Sequence, residues 1–169
     1  MKSIFIAAGI FLSVLSCTPK PSERFTTKSA EINVLKKGLT HYENADWVSW
    51  AGQYADSAKI FQNSWSEYET PAEVKNRYVE LISKLSDYSF DKEEMFMEQV
   101  IDDQGRTWVN FWGLWRGILK ANNKTIEIPV HLNFQFDDGK IIREYGYWDT
   151  AQLYEELKKV EHNVAEKID

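Results

Sequence analysis

Residues 125–148 read TIEIPVHLNFQFDDGKIIREYGYW, and this stretch decides the fold. Ile126, Ile128, Val130, Leu132, Phe134 and Phe136 alternate strictly with Glu127, Pro129, His131, Asn133 and Gln135. That period of two describes a long strand with one apolar and one polar face. Asp137-Asp138-Gly139 then turns the chain into a second strand, Lys140 to Trp148. Loop length sets which side chains face the core. A three-residue loop with Gly139 left-handed pairs Phe136 with Lys140, Leu132 with Glu144 and Ile128 with Trp148, pointing Glu144 and Trp148 inward. A two-residue loop flips the strand and sends Tyr145, Tyr147 and Asp149 inward instead. The sequence leaves both open.

Working back from this hairpin, Thr107 to Lys120 reads as another long strand, joined through a turn at Ala121-Asn122-Asn123-Lys124. It is apolar on both faces: Trp108, Trp112, Leu114 and Ile118 on one, Val109, Phe111, Trp115 and Leu119 on the other. Such a strand is covered on both sides. One face lines an interior. The other suits a homodimer seam at Trp112 or Trp115, or a cover made by the C-terminal segment. Met95, Met97 and Gln99 alternate with Phe96, Glu98 and Val100 ahead of a turn at Asp102-Asp103-Gln104-Gly105.

Further upstream the period becomes helical. Ile32, Leu35, Leu39 and Tyr42 form one helix face. Asp46 caps a second helix carrying Trp47, Trp50 and Tyr54, and Lys59 to Gln62 is a short strand. Thr70-Pro71 opens a third helix with an apolar stripe of Val74, Tyr78, Leu81, Ile82 and Leu85. A last helix spans Gln152 to Val160. Helices followed by a meander of long strands make an α+β plan: a curved antiparallel sheet wrapped as a cone around the N-terminal helices, with an internal cavity.

The N-terminus carries an address. Met1-Lys2-Ser3 precedes an apolar run from Ile4 to Leu12, closed by Ser13 to Cys17. This is the pattern of a secretory signal. Val14-Leu15-Ser16-Cys17 resembles the lipobox of bacterial lipoproteins, which implies cleavage after Ser16 and lipid on Cys17, the only cysteine of the 169 residues. The expected organisation is a signal at 1–16, an extended tether at 17–28, a domain at 29–160 and a tail at 161–169. With Cys17 lipidated, no disulfide or cysteine metal site is available. The absence of Asp after Cys17 matches lipoproteins sorted to the outer membrane of a Gram-negative envelope.

Charge narrows the partners. Without the signal, 19 basic stand against 26 acidic side chains, a net −7. Such a domain is a poor nucleic-acid binder, and the lipid must do the membrane anchoring. Aromatic residues make up 14%, with seven Trp, enough to fill a core and line a pocket.

Two strings carry a resemblance. Trp47 to Gln62 centres on Gln53-Tyr54-Ala55-Asp56-Ser57-Ala58, and Phe134 to Leu153 contains Asp138-Gly139-Lys140-Ile141 ahead of Trp148-Asp149. In this order and separation they resemble the nuclear transport factor 2-like superfamily, close to its SnoaL-like branch, across residues 29–160. The resemblance implies the family's cystatin-like α+β barrel. It also implies that a ketosteroid isomerase would carry its base at Gln62, its Tyr at Gly38 and its oxyanion acid at Leu132. None of these can do that work. SnoaL-like cyclases use a late Asp as acid or base, which corresponds to Asp149. Asp149-Thr150 also reads as a cap for the last helix. Glu144 is the other candidate. His131 belongs with the polar strand face, and no metal or dinucleotide motif is present.

The sequence therefore implies a lipid-anchored envelope domain without a cofactor or metal, with a pocket lined by Trp50, Tyr54, Phe61, Trp112, Leu132, Phe134 and Trp148. Three functions fit: non-catalytic binding of a small apolar molecule; a SnoaL-like isomerase, cyclase or hydrolase using Asp149 or Glu144; or a dimeric protein-interaction module. An open cavity holding a carboxylate favours the enzyme, an open dry one the binder, and a filled one the interaction module.

Overall fold

A computed structural model describes residues 24–165, with side chains described to residue 160. The signal, Cys17 and the first part of the expected tether lie outside the described residues. The elements run β1 (Phe25–Thr26), α1 (Ala30–Glu43), α2 (Trp47–Ala51), β2 (Tyr54–Gln62), α3 (Pro71–Ser83), β3 (Leu85–Phe90), β4 (Phe96–Ile101), β5 (Thr107–Leu119), β6 (Thr125–Asp137), β7 (Lys140–Trp148) and α4 (Ala151–Ala165).

The helix starts follow local chemistry. Ser29 accepts from Ile32 N at 3.0 Å to cap α1, and Asp46 accepts from Ser49 N at 3.1 Å to cap α2. Thr70 and Glu73 form a reciprocal capping box at α3, with Pro71 at its first position. Ile32, Leu35, Leu39 and Tyr42 are buried on one face of α1. Two boundaries differ from expectation. Tyr54 opens β2 instead of closing a helix, because α2 stops at Ala51. Leu85 opens β3 rather than ending the stripe of α3; its 3.6-residue spacing from Leu81 and Ile82 hid the strand.

The strands form one curved, unclosed sheet in the order β1-β4-β5-β6-β7-β2, with β3 also paired to β5. The sheet is mixed rather than purely antiparallel, since β2 runs parallel to β7. β1 falls inside the expected tether and pairs Phe25 with Val100 on β4. β5 and β6 supply the longest pairing, from Thr107↔Phe136 to Ile118↔Thr125. Val109, Phe111, Trp115 and Leu119 face the core from β5, while Trp112 lies on the opposite face, 39% exposed.

The β6–β7 hairpin takes neither register entirely. Its loop is the two-residue Asp138-Gly139, with φ of 46° and 71°, the left-handed pair of a type I′ turn. Asp137 pairs with Lys140 and Phe136 with Ile141, but Gln135 then pairs with Arg143. Ile142 is the extra residue of a β-bulge. One inserted residue reverses the parity beyond it, so Phe134 faces Glu144 and Val130 faces Trp148. Both Ile141, at 1% exposure, and Glu144, at 3%, therefore point inward.

Candidate functional site

The inner face of the sheet and the four helices line a cavity of about 130 Å³. Leu35 and Leu39 of α1, Trp50 of α2, Leu132 and Phe134 of β6, and Trp148 of β7 give it an apolar wall. Its hydrogen-bonding groups include Tyr42, Gln53, Tyr54, Arg77, Tyr78, Glu144, Thr150 and Tyr154. A mostly apolar pocket with a few convergent polar groups is the usual form of a small-molecule site.

Glu144 is the centre of this arrangement. The bulge at Ile142 aims it inward, and the parallel pairing of β2 with β7 brings Tyr54 to it. Tyr54 Oη donates to Glu144 Oε2 at 2.5 Å. Among the described residues, Tyr54 is the one hydrogen-bond partner of the carboxyl, which leaves Oε1 without a bond. Burial pushes the Glu144 carboxyl up to about 7, against the opposing pull of the Tyr54 bond and the Arg77 charge. Burial also raises the Tyr54 and Tyr78 hydroxyls well above the usual range, so both stay protonated donors. A carboxyl poised near neutrality inside an apolar cavity can both take and return a proton.

A second set of hydrogen bonds runs to Tyr78. Arg77 Nη2 donates to Glu69 Oε2 at 2.7 Å and also to Gln62 Oε1. Gln62 Nε2 donates to Tyr78 Oη at 2.8 Å. Gln62 itself is not on the cavity wall. Gly38 and Leu132, the other two ketosteroid isomerase positions, are on it. A Cβ on Gly38 would sit 2.2 Å from the Gln53 side chain, so the glycine makes room for that amide.

Of the expected pocket residues, the structure brings together Trp50, Tyr54, Leu132, Phe134 and Trp148. Phe61 and Trp112 belong elsewhere. Phe61 stacks on Tyr145 at 4.8 Å, and Trp112 on His131 at 4.7 Å, away from the cavity. Both carry the odd–even parity of the outer sheet face. Trp115 is the inward residue of β5, its Nε1 donating to Tyr42 Oη at 3.1 Å, so it cannot form an outer seam. Asp149 is exposed and its Oδ1 accepts from Ala151 N at 2.8 Å, leaving it off the cavity wall. Arg77 and the role of Tyr78 were missed. The signal was a tyrosine within an apolar helix stripe, whose hydroxyl requires a partner when buried. Among the described residues, no cluster of three His, Cys, Asp or Glu side chains comes together.

No protein-family model matches the sequence, and no curated protein matches it. Solved structures do match in fold. A candidate polyketide cyclase from Xanthomonas campestris pv. campestris superposes with a TM-score of 0.59 at 14% identity, covering 80% of this chain and 99% of that one. A candidate SnoaL-like polyketide cyclase from Shewanella denitrificans gives 0.59 at 11% identity, covering 78% of this chain and 99% of that one. A nuclear transport factor 2-like protein from Burkholderia xenovorans gives 0.54 at 15% identity, over 74% and 94% of the two chains. At such identities the likeness concerns the fold. With its curved sheet, enclosing helices and inward-facing cavity, this chain has the nuclear transport factor 2-like fold, in the form shared with solved SnoaL-like proteins.

Proposed function

We propose that the cavity takes a small, mostly apolar molecule and that Glu144 exchanges a proton with it, as in an isomerase or cyclase of the SnoaL-like kind. The carrying observation is Glu144 itself: buried, raised to about 7, and with Oε1 free of protein partners among the described residues. The same criterion that separated the three functions at the sequence level now favours the enzyme over the passive binder, because the cavity holds a carboxylate. The polyketide cyclase descriptions of two fold neighbours support this reading. A half-ionised carboxyl is suited to removing a proton from carbon next to a carbonyl and returning it elsewhere.

Incorporation of solvent deuterium tests this without knowledge of the natural substrate. Cyclohexanone, 2-methylcyclohexanone and indan-1-one are incubated with the protein in D2O and analysed by mass spectrometry. Wild type accelerates exchange and Glu144→Gln returns it to the buffer rate. Exchange at the buffer rate with wild type, despite binding, returns the cavity to a non-catalytic role.

Two further parts of the proposal concern placement. Lipid on Cys17 anchors the domain in a bacterial envelope, and Cys17→Ala releases it to the soluble fraction; equal membrane recovery of the variant rejects the anchor. A homodimer forms through the outer sheet face. Its support is a row of aromatic rings across four strands, where Phe96 pairs with Trp112, Trp112 with His131 and His131 with Tyr147. Phe96, Trp112 and Tyr147 are 49%, 39% and 41% exposed. A contiguous exposed apolar patch of this kind is characteristic of an interface.

A further inference from the structure

We infer that the cavity's ligand carries a carboxylate, held at the rim by Arg77 and the hydroxyls of Thr150 and Tyr154 while its apolar body fills the interior. The inference rests on the reading of the cavity as a small-molecule site, and it adds the ligand's head group and its direction of entry.

Among the described residues, Glu144 and Arg77 are the charged side chains of the cavity wall. They lie at different depths. Glu144 is buried on the inner face of β7, whereas Arg77 lines the wall and also reaches solvent. A side chain that does both marks the mouth. Tyr154 is exposed and Thr150 half-buried, and both line the same cavity. They stand one helical turn apart at the start of α4, where Tyr154 N donates to Thr150 O at 3.0 Å. Tyr154 is near enough to Arg77 for the two to interact electrostatically.

The free donors at this mouth can be counted. A guanidinium has five N–H protons and accepts nothing. Nε and Nη2 donate to Glu69 at 3.3 and 2.7 Å, and Nη2 donates again to Gln62 Oε1. Among the described residues, neither proton of Nη1 has an acceptor, and the Thr150 and Tyr154 hydroxyls make no bond. The guanidinium is also fixed in position. Glu69, which grips its far edge, is held by two backbone bonds to Ile60 at 2.9 and 3.0 Å, and the Arg77 head lies 5.5 Å over the Tyr78 ring. Its paired edge therefore leaves Nη1 presented as a ready donor.

The deeper polar groups receive an anion poorly. Tyr54 already donates to Glu144. Gln53 Nε2 is spent on Trp50 O at 3.1 Å, and its Oε1 is an acceptor without a partner, which repels a carboxylate. Tyr42 and Tyr78 accept from Trp115 and Gln62 and keep one neutral donor each. A carboxylate placed there would lie in the apolar interior with Glu144 and no cation, where desolvation and like charge both oppose it. At the mouth the balance reverses. Nη1 offers two protons and the hydroxyls one each, more than the two lone pairs of a carbonyl oxygen can accept, while a carboxylate has about four acceptor sites and the complementary charge. An ammonium group is repelled by Arg77. A carboxylate seated at the rim leaves the apolar body to pack on Leu35, Leu39, Trp50 and Leu132 and to reach Glu144.

The test uses the full chain with indane, indane-2-carboxamide and indane-2-carboxylate, the last two alike in shape and different in charge. Calorimetry at pH 8 and low ionic strength gives the affinities. The carboxylate binds wild type about tenfold more tightly than the amide. Arg77→Met removes that preference while the amide still binds. Glu69→Gln takes away the counter-charge of the guanidinium and raises the preference severalfold, whereas an Arg77 that served only to hold Glu69 would leave it unchanged. Carboxylate binding no tighter than the amide in wild type overturns the inference and leaves the small-molecule reading standing. A preference that survives Arg77→Met overturns it as well. If Arg77→Met does not fold, Glu69→Gln decides, and an unchanged or lower preference there overturns the inference. Binding of none of the three probes to wild type overturns the small-molecule reading and this inference with it.

Discussion

Tyr54 Oη lies 2.5 Å from Glu144 Oε2, joining the first residue of β2 to the middle of β7 inside the cavity wall. Ninety residues of chain separate the two. Each depends on the other. The tyrosine supplies the only hydrogen bond to the carboxyl among the described residues, and the carboxyl accepts the proton of an otherwise buried phenol. Because the bond favours the ionised carboxylate while burial disfavours it, the balance between them places Glu144 near neutrality.

Tyr54→Phe removes the hydrogen bond that favours the ionised Glu144, so Glu144 should titrate above its value of about 7. The infrared band of the protonated carboxyl, followed against pH, measures this. Loss of one buried hydrogen bond should also cost roughly 0.5–1.5 kcal/mol of stability. A midpoint that falls, or stays where it was, contradicts the assignment.

Glu144 makes stability depend on pH in the direction opposite to a salt-bridged carboxylate. Its folded value of about 7 lies above the ordinary carboxylate range near 4.5. Below that range it is protonated in both states and the contribution is full. Between the two values the folded state holds more protons, so stability falls as pH rises, and the contribution is lost above about 7. The loss amounts to about 3 kcal/mol. Glu144→Gln keeps the shape and removes the charge. Its melting temperature relative to wild type should therefore rise from pH 5 to pH 8. A difference that is the same at both pH values would count against a buried, ionising Glu144.

Asp149 should behave as a cap and not as an acid. Its Oδ1 accepts from Ala151 N at the start of α4. Asp149→Asn retains an accepting oxygen and should leave stability nearly unchanged, while Asp149→Ala should cost about 0.5–2 kcal/mol. Deuterium exchange into bound ketones should be the same in Asp149→Asn and wild type. Equal melting of the Asn and Ala variants would remove the cap, and loss of exchange in Asn would restore Asp149 as the acid.

The outer aromatic row should make the chain a dimer. Trp112 sits in its centre, between Phe96 and His131. Sedimentation of the domain at high micromolar concentration should give a dimer, and Trp112→Glu a monomer with the same melting temperature. A monomeric wild type at that concentration rules the seam out.

Much of this molecule could be read from local chemistry. Ser29, Asp46 and Thr70-Pro71 mark helix starts because capping is settled within four residues. The alternation from Ile126 to Phe136 fixes a strand and its buried face because side-chain direction has a period of two. Those elements, in their order, determined the α+β fold. The site was only half legible. Trp50, Tyr54, Leu132, Phe134 and Trp148 were expected in the pocket and are there, and Glu144 was one of two carboxylates left open. The choice between Glu144 and Asp149 belonged to the tertiary structure. It turned on one bulged residue, Ile142, which reverses the facing of everything after it and carries no distinctive sequence signal. The tertiary structure also decided that β2 lies parallel beside β7, which sets Tyr54 against Glu144. It decided as well that Arg77 reaches Tyr78 through Gln62. These contacts join residues 15 to 90 positions apart, and periodicity and capping act only between near neighbours.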